Sequence, residues 1–276
     1  MTRKLTLALV QMDSELGNLE HNLARVIDFT KQARAKGAQV VAFPELILSG
    51  SHPDLLGPRL QELALTRDNG PIQKLARVAH ELGVYLLAGF LERRDNSGAV
   101  YNSLVWCAPN GQVVDTYAKT HMYTTERRYF SFGHQSPVYE TEFGKIGIMI
   151  CYELCFPEVA RILAIQGAEV VIAPAAWGAL DEMQWPIHVR ARALENLIFV
   201  AAVNRAGVED NLHYIGQSMV VHPLGNIVGH IDTDQEEMLV TTIDLDEIVA
   251  ARRRSEHWVD RRPELYGLIA DPKSGS

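Results

Sequence analysis

Three side chains of unlike chemistry stand at matching places in the chain. Glu45 follows an apolar stretch ending at Phe43, Lys119 follows one ending at Ala118, and Cys151 follows one ending at Ile150 and precedes a helical stretch. In open α/β sheets ligands gather at the carboxyl ends of strands, so an acid, a cation and a thiol at three such ends are expected to share one crevice. The trio has a chemical logic. A thiolate is a strong nucleophile, but a free cysteine is mostly protonated at neutral pH. A nearby carboxylate can take the proton. A lysine ammonium can stabilise the thiolate and the oxyanion that forms when a carbonyl is attacked. The N–H groups after Cys151 open a helix and add to that oxyanion site. No Cys–His pair is evident, which directs the search for a base to carboxylates.

Other chemistries lack their residues. Gly144-Lys145 has neither the upstream glycine nor the following Ser or Thr of a phosphate loop, and there is no Gly-x-Gly-x-x-Gly. Gly216-Gln217-Ser218 is not a nucleophile elbow, because Val220 stands where glycine is needed. A disulfide or metal pair between Cys151 and Cys155 is the alternative use of those thiols. No second ligand pair with zinc spacing accompanies them, which argues against a metal site.

The elements that must position these groups alternate between strand and helix. Leu5 to Val10 reads as a strand. Asn18 to Lys36 shows helical spacing through Leu19, Leu23, Val26, Ile27 and Ala33, with Gly37 as its cap. Gln39 to Phe43 is a short buried-type strand closed by Pro44. A helix over Pro71 to Leu82 leads to strands at Val84 to Leu91, Tyr101 to Cys107 and Gln112 to Ala118, with turns at Asn96-Ser97-Gly98 and Pro109-Asn110-Gly111. The second half restarts the pattern. Strands are expected at Lys145 to Ile150, at Glu169 to Ala173 closed by Pro174, and at Ile198 to Val203, with helices at Phe156 to Gln166 and Met183 to Asn196 between them. Tyr214 to Val221 and Asn226 to His230 read as a hairpin, and Met238 to Ile243 as a last strand. Strand–helix–strand units of this kind mean parallel pairing. One domain over 1–270 with two related halves, followed by a loose polar tail over 271–276, is the simplest organisation; a split near residue 135 is the rival.

Composition narrows the partners. The chain has 276 residues and a formal net charge of −8, so it would repel nucleic acid and anionic lipid surfaces. Its one dense basic run, Arg252-Arg253-Arg254, has Asp246, Glu247 and Glu256 around it and reads as a solvated helix end. No apolar run reaches the ~18–20 residues needed to span a bilayer. Three cysteines and no signal peptide point to a reducing, cytoplasmic setting.

At the three candidate residues the chain resembles the nitrilase superfamily of carbon–nitrogen hydrolases. Phe43-Pro44-Glu45-Leu46 is similar to the segment carrying that family's glutamate, Tyr117-Ala118-Lys119-Thr120-His121-Met122 to its lysine segment, and Gly147 to Glu153 with Phe156-Pro157-Glu158 to its cysteine segment. Arg192 to Asn196, Gly216 to Met219 and Asp260 to Tyr266 agree, in the same order. The resemblance implies a four-layer α-β-β-α sandwich, no metal or organic cofactor, and a homodimer or higher homo-oligomer. It implies a Cys-Glu-Lys triad in which Cys151 attacks, Glu45 moves protons and Lys119 holds the oxyanion. Glu126 falls where many members carry a second glutamate that positions substrate.

Departures from the family pattern narrow the substrate. Leu154 and Cys155 replace the two arginines that clamp a carboxylate in members acting on N-carbamoyl amino acids, which argues against a carboxylate at that spot. Tyr152 stands where true nitrilases often have tryptophan, favouring amide over nitrile. Glu153 replaces a more usual aspartate. The expected activity is that of an ω-amidase-like or aliphatic amidase on a small amide. A nitrilase, a carbamoyl-amide hydrolase, a glutaminase handing ammonia to a separate chain, and a non-catalytic partner protein are the rivals. Tyr123, Tyr152 and Trp177 are the candidate substrate-binding aromatics, with Phe130 and Trp185 as weaker ones. Each residue also has a plainer use. Cysteine is often a small buried hydrophobe, as expected for Cys107. Glu45 could be a helix-start acid, Lys119 a surface lysine, Glu126-Arg127-Arg128 a solvated face, and His121 structural.

Overall fold

The computed structural model describes residues 3–94 and 97–271. Asn96 of the expected Asn96-Ser97-Gly98 turn and the tail from 272 onward lie outside the described residues.

Alternation in β1 (Lys4–Gln11) sends Leu5, Leu7 and Leu9 to one face and Ala8 and Val10 to the other. Both faces are apolar, as a strand covered on both sides requires. Helix α1 (Leu19–Ala35) is capped by the Asn18 side chain, which accepts from the His21 N–H, and buries Leu23, Val26, Ile27 and Ala33. Then come β2 (Val40–Ala42), the short helices α2 (Pro53–Leu56) and α3 (Arg59–Leu63), and α4 (Gly70–Leu82). Strands β3 (Tyr85–Arg93), β4 (Val100–Cys107) and β5 (Val113–Ala118) complete the first half.

The second half supplies β6 (Val138–Glu140), β7 (Lys145–Ile148), α5 (Pro157–Ile165), β8 (Val170–Ala175), α6 (Gln184–Asn196) and β9 (Phe199–Asn204). A small hairpin of β10 (Val208–Glu209) and β11 (Leu212–His213) precedes β12 (Met219–Val221) and β13 (Ile227–His230). The chain then returns to the first sheet as β14 (Glu237–Asp244) and leaves through α7 (Glu247–Arg254).

The two six-stranded sheets run β14-β1-β2-β3-β4-β5 and β6-β7-β8-β9-β12-β13. Their layouts match. Each has three central parallel strands, one antiparallel strand on the near edge and two on the far side. Helices α1 and α4 cover the outer face of the first sheet through Ile72, Leu75, Val41 and Phe90. Between the sheets, Leu7, Leu87, Trp106 and Tyr117 share one cluster with Ile148, Ile172 and Ala201, and α5 and α6 extend that cluster through Leu163 and Val189. The layers are therefore α-β-β-α, and the fold class is as expected.

Strands β8 and β12 differ from the sequence reading for identifiable reasons. β8 runs through Pro174 to Ala175 instead of closing before it. Its β7 neighbour pairs only as far as Ile172, so the proline's missing N–H leaves no partner wanting, while Val203 of β9 still lies alongside. The expected strand over Tyr214 to Val221 holds only from Met219. Gly216 and Gln217 are both left-handed (φ 61° and 57°), which turns the chain out of the sheet.

Candidate active site

Glu45 leaves the end of β2 through Phe43 and Pro44, and its carboxylate is buried. Oε1 accepts from Lys119 Nζ (2.7 Å) and Asn102 Nδ2 (2.7 Å). Oε2 accepts from the Ala176 N–H at 3.0 Å, just past the end of β8 in the other sheet. Each oxygen is thus held from a fixed direction. The segment lies so close over β3 that a Cβ on Gly89 would stand 2.2 Å from the Leu46 nitrogen. Only glycine admits that approach.

Lys119 follows β5 and is 1% exposed. Its backbone is pinned on both sides: its N–H donates to the Asn102 carbonyl (2.9 Å), and its carbonyl accepts from the Gly133 N–H (2.7 Å). Nζ reaches Glu45 and both oxygens of Glu126 (2.8 and 3.0 Å). Burial alone would lower the lysine's pKa; Glu126 and Glu45 outweigh it and hold the ammonium charged, well above its usual range. Glu126 lies on a short 3₁₀ turn over Thr124–Arg128 and turns inward while Arg127 and Arg128 face solvent. Burial raises its pKa, Lys119 opposes the rise, and Glu45 adds to it.

Cys151 comes three residues after Ile148, the last paired residue of β7, and opens the 3₁₀ turn Cys151–Cys155. Its backbone is left-handed (φ 46°), a conformation that costs a non-glycine residue about 1–3 kcal/mol and persists only where the surroundings impose it. The thiol's pKa is pushed well above its usual value by burial and then by the charge of Glu45; Lys119 and the Ala176 N–H pull the other way. At rest Cys151 is a thiol with a carboxylate close by, so the proton must leave as the sulfur attacks.

These groups open on a cavity of about 630 Å³. Glu45, Lys119, Tyr123, Glu126, Cys151, Tyr152 and Trp177, the main candidates from the sequence, all line it. Tyr123 and Tyr152 meet edge-on with ring centroids 5.2 Å apart. Trp177 Nε1 donates to the Asp181 carbonyl (2.9 Å), and Tyr123 Oη donates to the Asp181 carboxylate (3.0 Å). Phe130 and Trp185 belong to the core instead, as does Cys107. His121 stacks on Phe156 with centroids 4.1 Å apart. Cys151 and Cys155 are both free thiols, and no group of three metal-ligating side chains occurs among the described residues.

Three contributors escaped the sequence reading, Asn102, Gly89 and the Ala176 N–H, while Glu153 stood out there only as a departure from the family pattern, without a role. Asn102 carried a signal, being an amide within an otherwise apolar strand, and so did Gly89 as a glycine within one. The amide of Ala176 carried none, because its role comes from where a backbone ends.

The carbon-nitrogen hydrolase family model matches residues 6–253. A protein named "probable nitrilase" from Schizosaccharomyces pombe is 32% identical over 274 residues, covering 98% of this chain and 100% of its own. An (R)-stereoselective amidase from a Pseudomonas species is 34% identical over 275 residues, covering 98% of this chain and 96% of its own. A variant of the amidase from Nesterenkonia sp. AN1, solved with acrylamide added at its active-site cysteine, superposes with a TM-score of 0.82 at 27% identity over 95% of this chain and 98% of that one.

Proposed function

The chain belongs to the carbon-nitrogen hydrolase family, the nitrilase superfamily, whose members act through an active-site cysteine, and from that premise we propose that it is an amidase using Cys151 to convert a small linear amide to a carboxylic acid and ammonia. One observation carries the reading. A buried carboxylate, an ammonium and a thiol from three strand ends face one cavity, with the carboxylate and ammonium 2.7 Å apart.

In this mechanism Cys151 Sγ attacks the amide carbonyl as its proton passes to Glu45. The C–S bond forms, and the carbonyl oxygen becomes an oxyanion. Lys119 gives one N–H to each of its two carboxylates and has a third for that oxyanion. Collapse breaks the C–N bond, and Glu45 returns the proton to the departing ammonia. Water, deprotonated by Glu45, then cleaves the thioester and restores the thiol. Glu126 also holds the ammonium, shares the Asn102 side-chain amide with Glu45, and orients the substrate amide.

The cavity's charges bear on the substrate. Glu45, Asp54, Glu126 and Asp181 line it against a single basic side chain with a fixed charge, Lys119, which is already paired twice. A substrate carboxylate would find no free cation there, so amides with neutral or cationic tails suit it. The relatives' names divide between nitrilase and amidase; Tyr152 after the nucleophile supports the amide.

Ammonia release from pentanamide, 4-aminobutanamide, glutaramate, N-carbamoyl amino acids and a matched nitrile tests this. Turnover of the first two, abolished in Cys151→Ala, is the expected result. Turnover of the nitrile alone, or of amides by Cys151→Ala, refutes the amidase reading.

A further inference from the structure

Glu153 lies two residues past the candidate nucleophile and is completely buried, and no described residue forms an ion pair with it. Its carboxylate instead collects neutral donors from two separate segments. Oε1 accepts from the Thr120 N–H (2.5 Å) and Thr120 Oγ1 (2.7 Å), and Oε2 accepts from the Ile150 N–H (2.5 Å). Tyr117 Oη donates across both oxygens at 2.8 and 2.9 Å. Thr120 and Tyr117 flank Lys119 in sequence; Ile150 immediately precedes Cys151.

The Glu153 backbone closes a second loop. Its N–H donates to the Ile150 carbonyl at 2.9 Å while Ile150 donates to its side chain, a reciprocal bracket around Cys151 and Tyr152. The left-handed Cys151 sits inside that bracket. One side chain therefore holds the nucleophile in an unfavourable conformation and ties that turn to the lysine segment.

We propose that Glu153 is the positioning residue that sets Cys151 against Lys119, acting through the Ile150 and Thr120 amides and not by touching substrate. The proposal rests on the amidase reading for its kinetic consequence, though not for its geometric one. Each oxygen faces only donors, so the amide group of a glutamine would put a donor against the Ile150 or the Thr120 N–H. An aspartate keeps the charge but is one methylene too short to hold both segments.

The test compares Glu153→Gln, Glu153→Asp and Tyr117→Phe in the full chain. It reads melting temperature, kcat and KM for the best amide, and the pH midpoint for alkylation of Cys151 by iodoacetamide, followed by mass spectrometry of its peptide. Displacing the thiol from Lys119 by an ångström lowers kcat of the folded Glu153→Gln protein on the order of a hundredfold with KM little changed. Its alkylation midpoint moves upward, because the thiolate loses the ammonium. Glu153→Asp shows the same signature more weakly. Tyr117→Phe leaves both amides on the carboxylate, so it lowers melting temperature with kcat and midpoint near wild type. If Glu153→Gln does not fold, the Asp and Phe variants still carry the comparison. Folded Glu153 variants with wild-type kcat and alkylation midpoint overturn the proposal. A wild type that hydrolyses no amide refutes the amidase reading instead, and the alkylation midpoint still decides the role of Glu153.

Discussion

At the scale of single residues, the site separates charge from nucleophilicity. Lys119 stays ionised because two carboxylates surround it, whereas Cys151 stays protonated because burial and Glu45 oppose its charge. A raised thiol pKa means that the reactive form appears only on the alkaline side. Alkylation of Cys151 by iodoacetamide is therefore expected to be still climbing above pH 8; a plateau below pH 7 would show a resting thiolate and remove the need for Glu45 as base. Lys119→Met keeps a similar length and loses the charge. It leaves Glu45 and Glu126 facing each other without a cation and the oxyanion without its donor, so kcat/KM should fall by about 3 kcal/mol of transition-state stabilisation or more. Near-native kinetics in that variant would place the oxyanion elsewhere. Glu45, Lys119 and Cys151 were legible in the sequence because each follows an apolar strand and the three chemistries are complementary. Glu126 was legible only through family resemblance: its own Glu-Arg-Arg run reads as a solvated face, and nothing local says that the glutamate turns inward while both arginines turn out.

At the scale of elements, function depends on how closely backbones approach. The central strands showed in the sequence as apolar runs between helices of clear spacing, and Leu5, Leu7 and Leu9 against Ala8 and Val10 even identify the two faces of β1. Strand endings did not. Lys145 to Ile150 reads as one continuous apolar strand, yet pairing stops at Ile148, because the chain must turn for Cys151 to reach the cavity. The short helices α2 and α3 went unread because neither completes two turns, too little for a periodic pattern. Gly89 is where packing and chemistry meet. An alanine there drives its methyl into the backbone of Glu45 and Leu46, and backbone cannot step aside as a flexible side chain can. Gly89→Ala should cost about 1–3 kcal/mol of stability or more by denaturant unfolding, and the folded fraction should lose kcat as Glu45 is displaced. Unchanged stability and kcat would mean that β3 and the glutamate segment are not packed this closely.

At the scale of the molecule, the two sheets repeat one layout, and the candidate catalytic groups come from both. Glu45 and Lys119 leave the first sheet, Cys151 and the Ala176 amide leave the second, and the Glu45–Ala176 hydrogen bond crosses between them. Neither half holds a complete site, and the inner cluster is built from both sheets. We propose that residues 1–270 unfold as one unit, without a boundary near 135. No helix among the described residues is long and apolar enough to cross a membrane. The outer layer of the second sheet nevertheless exposes apolar side chains in register: Ile162 and Ile165 on α5, and Ile187 and Leu194 two turns apart on α6, with Ile187 63% exposed. Water is a poor partner for such a surface, and a second copy of the same face would cover it through a two-fold axis. Light scattering should accordingly return twice the 30.8 kDa chain mass. Charging the face with Ile165→Glu and Ile187→Glu should shift that mass to the monomer while leaving the inter-sheet core intact by thermal melting. A wild type that is monomeric at micromolar concentration would leave this face uncovered and refute the dimer.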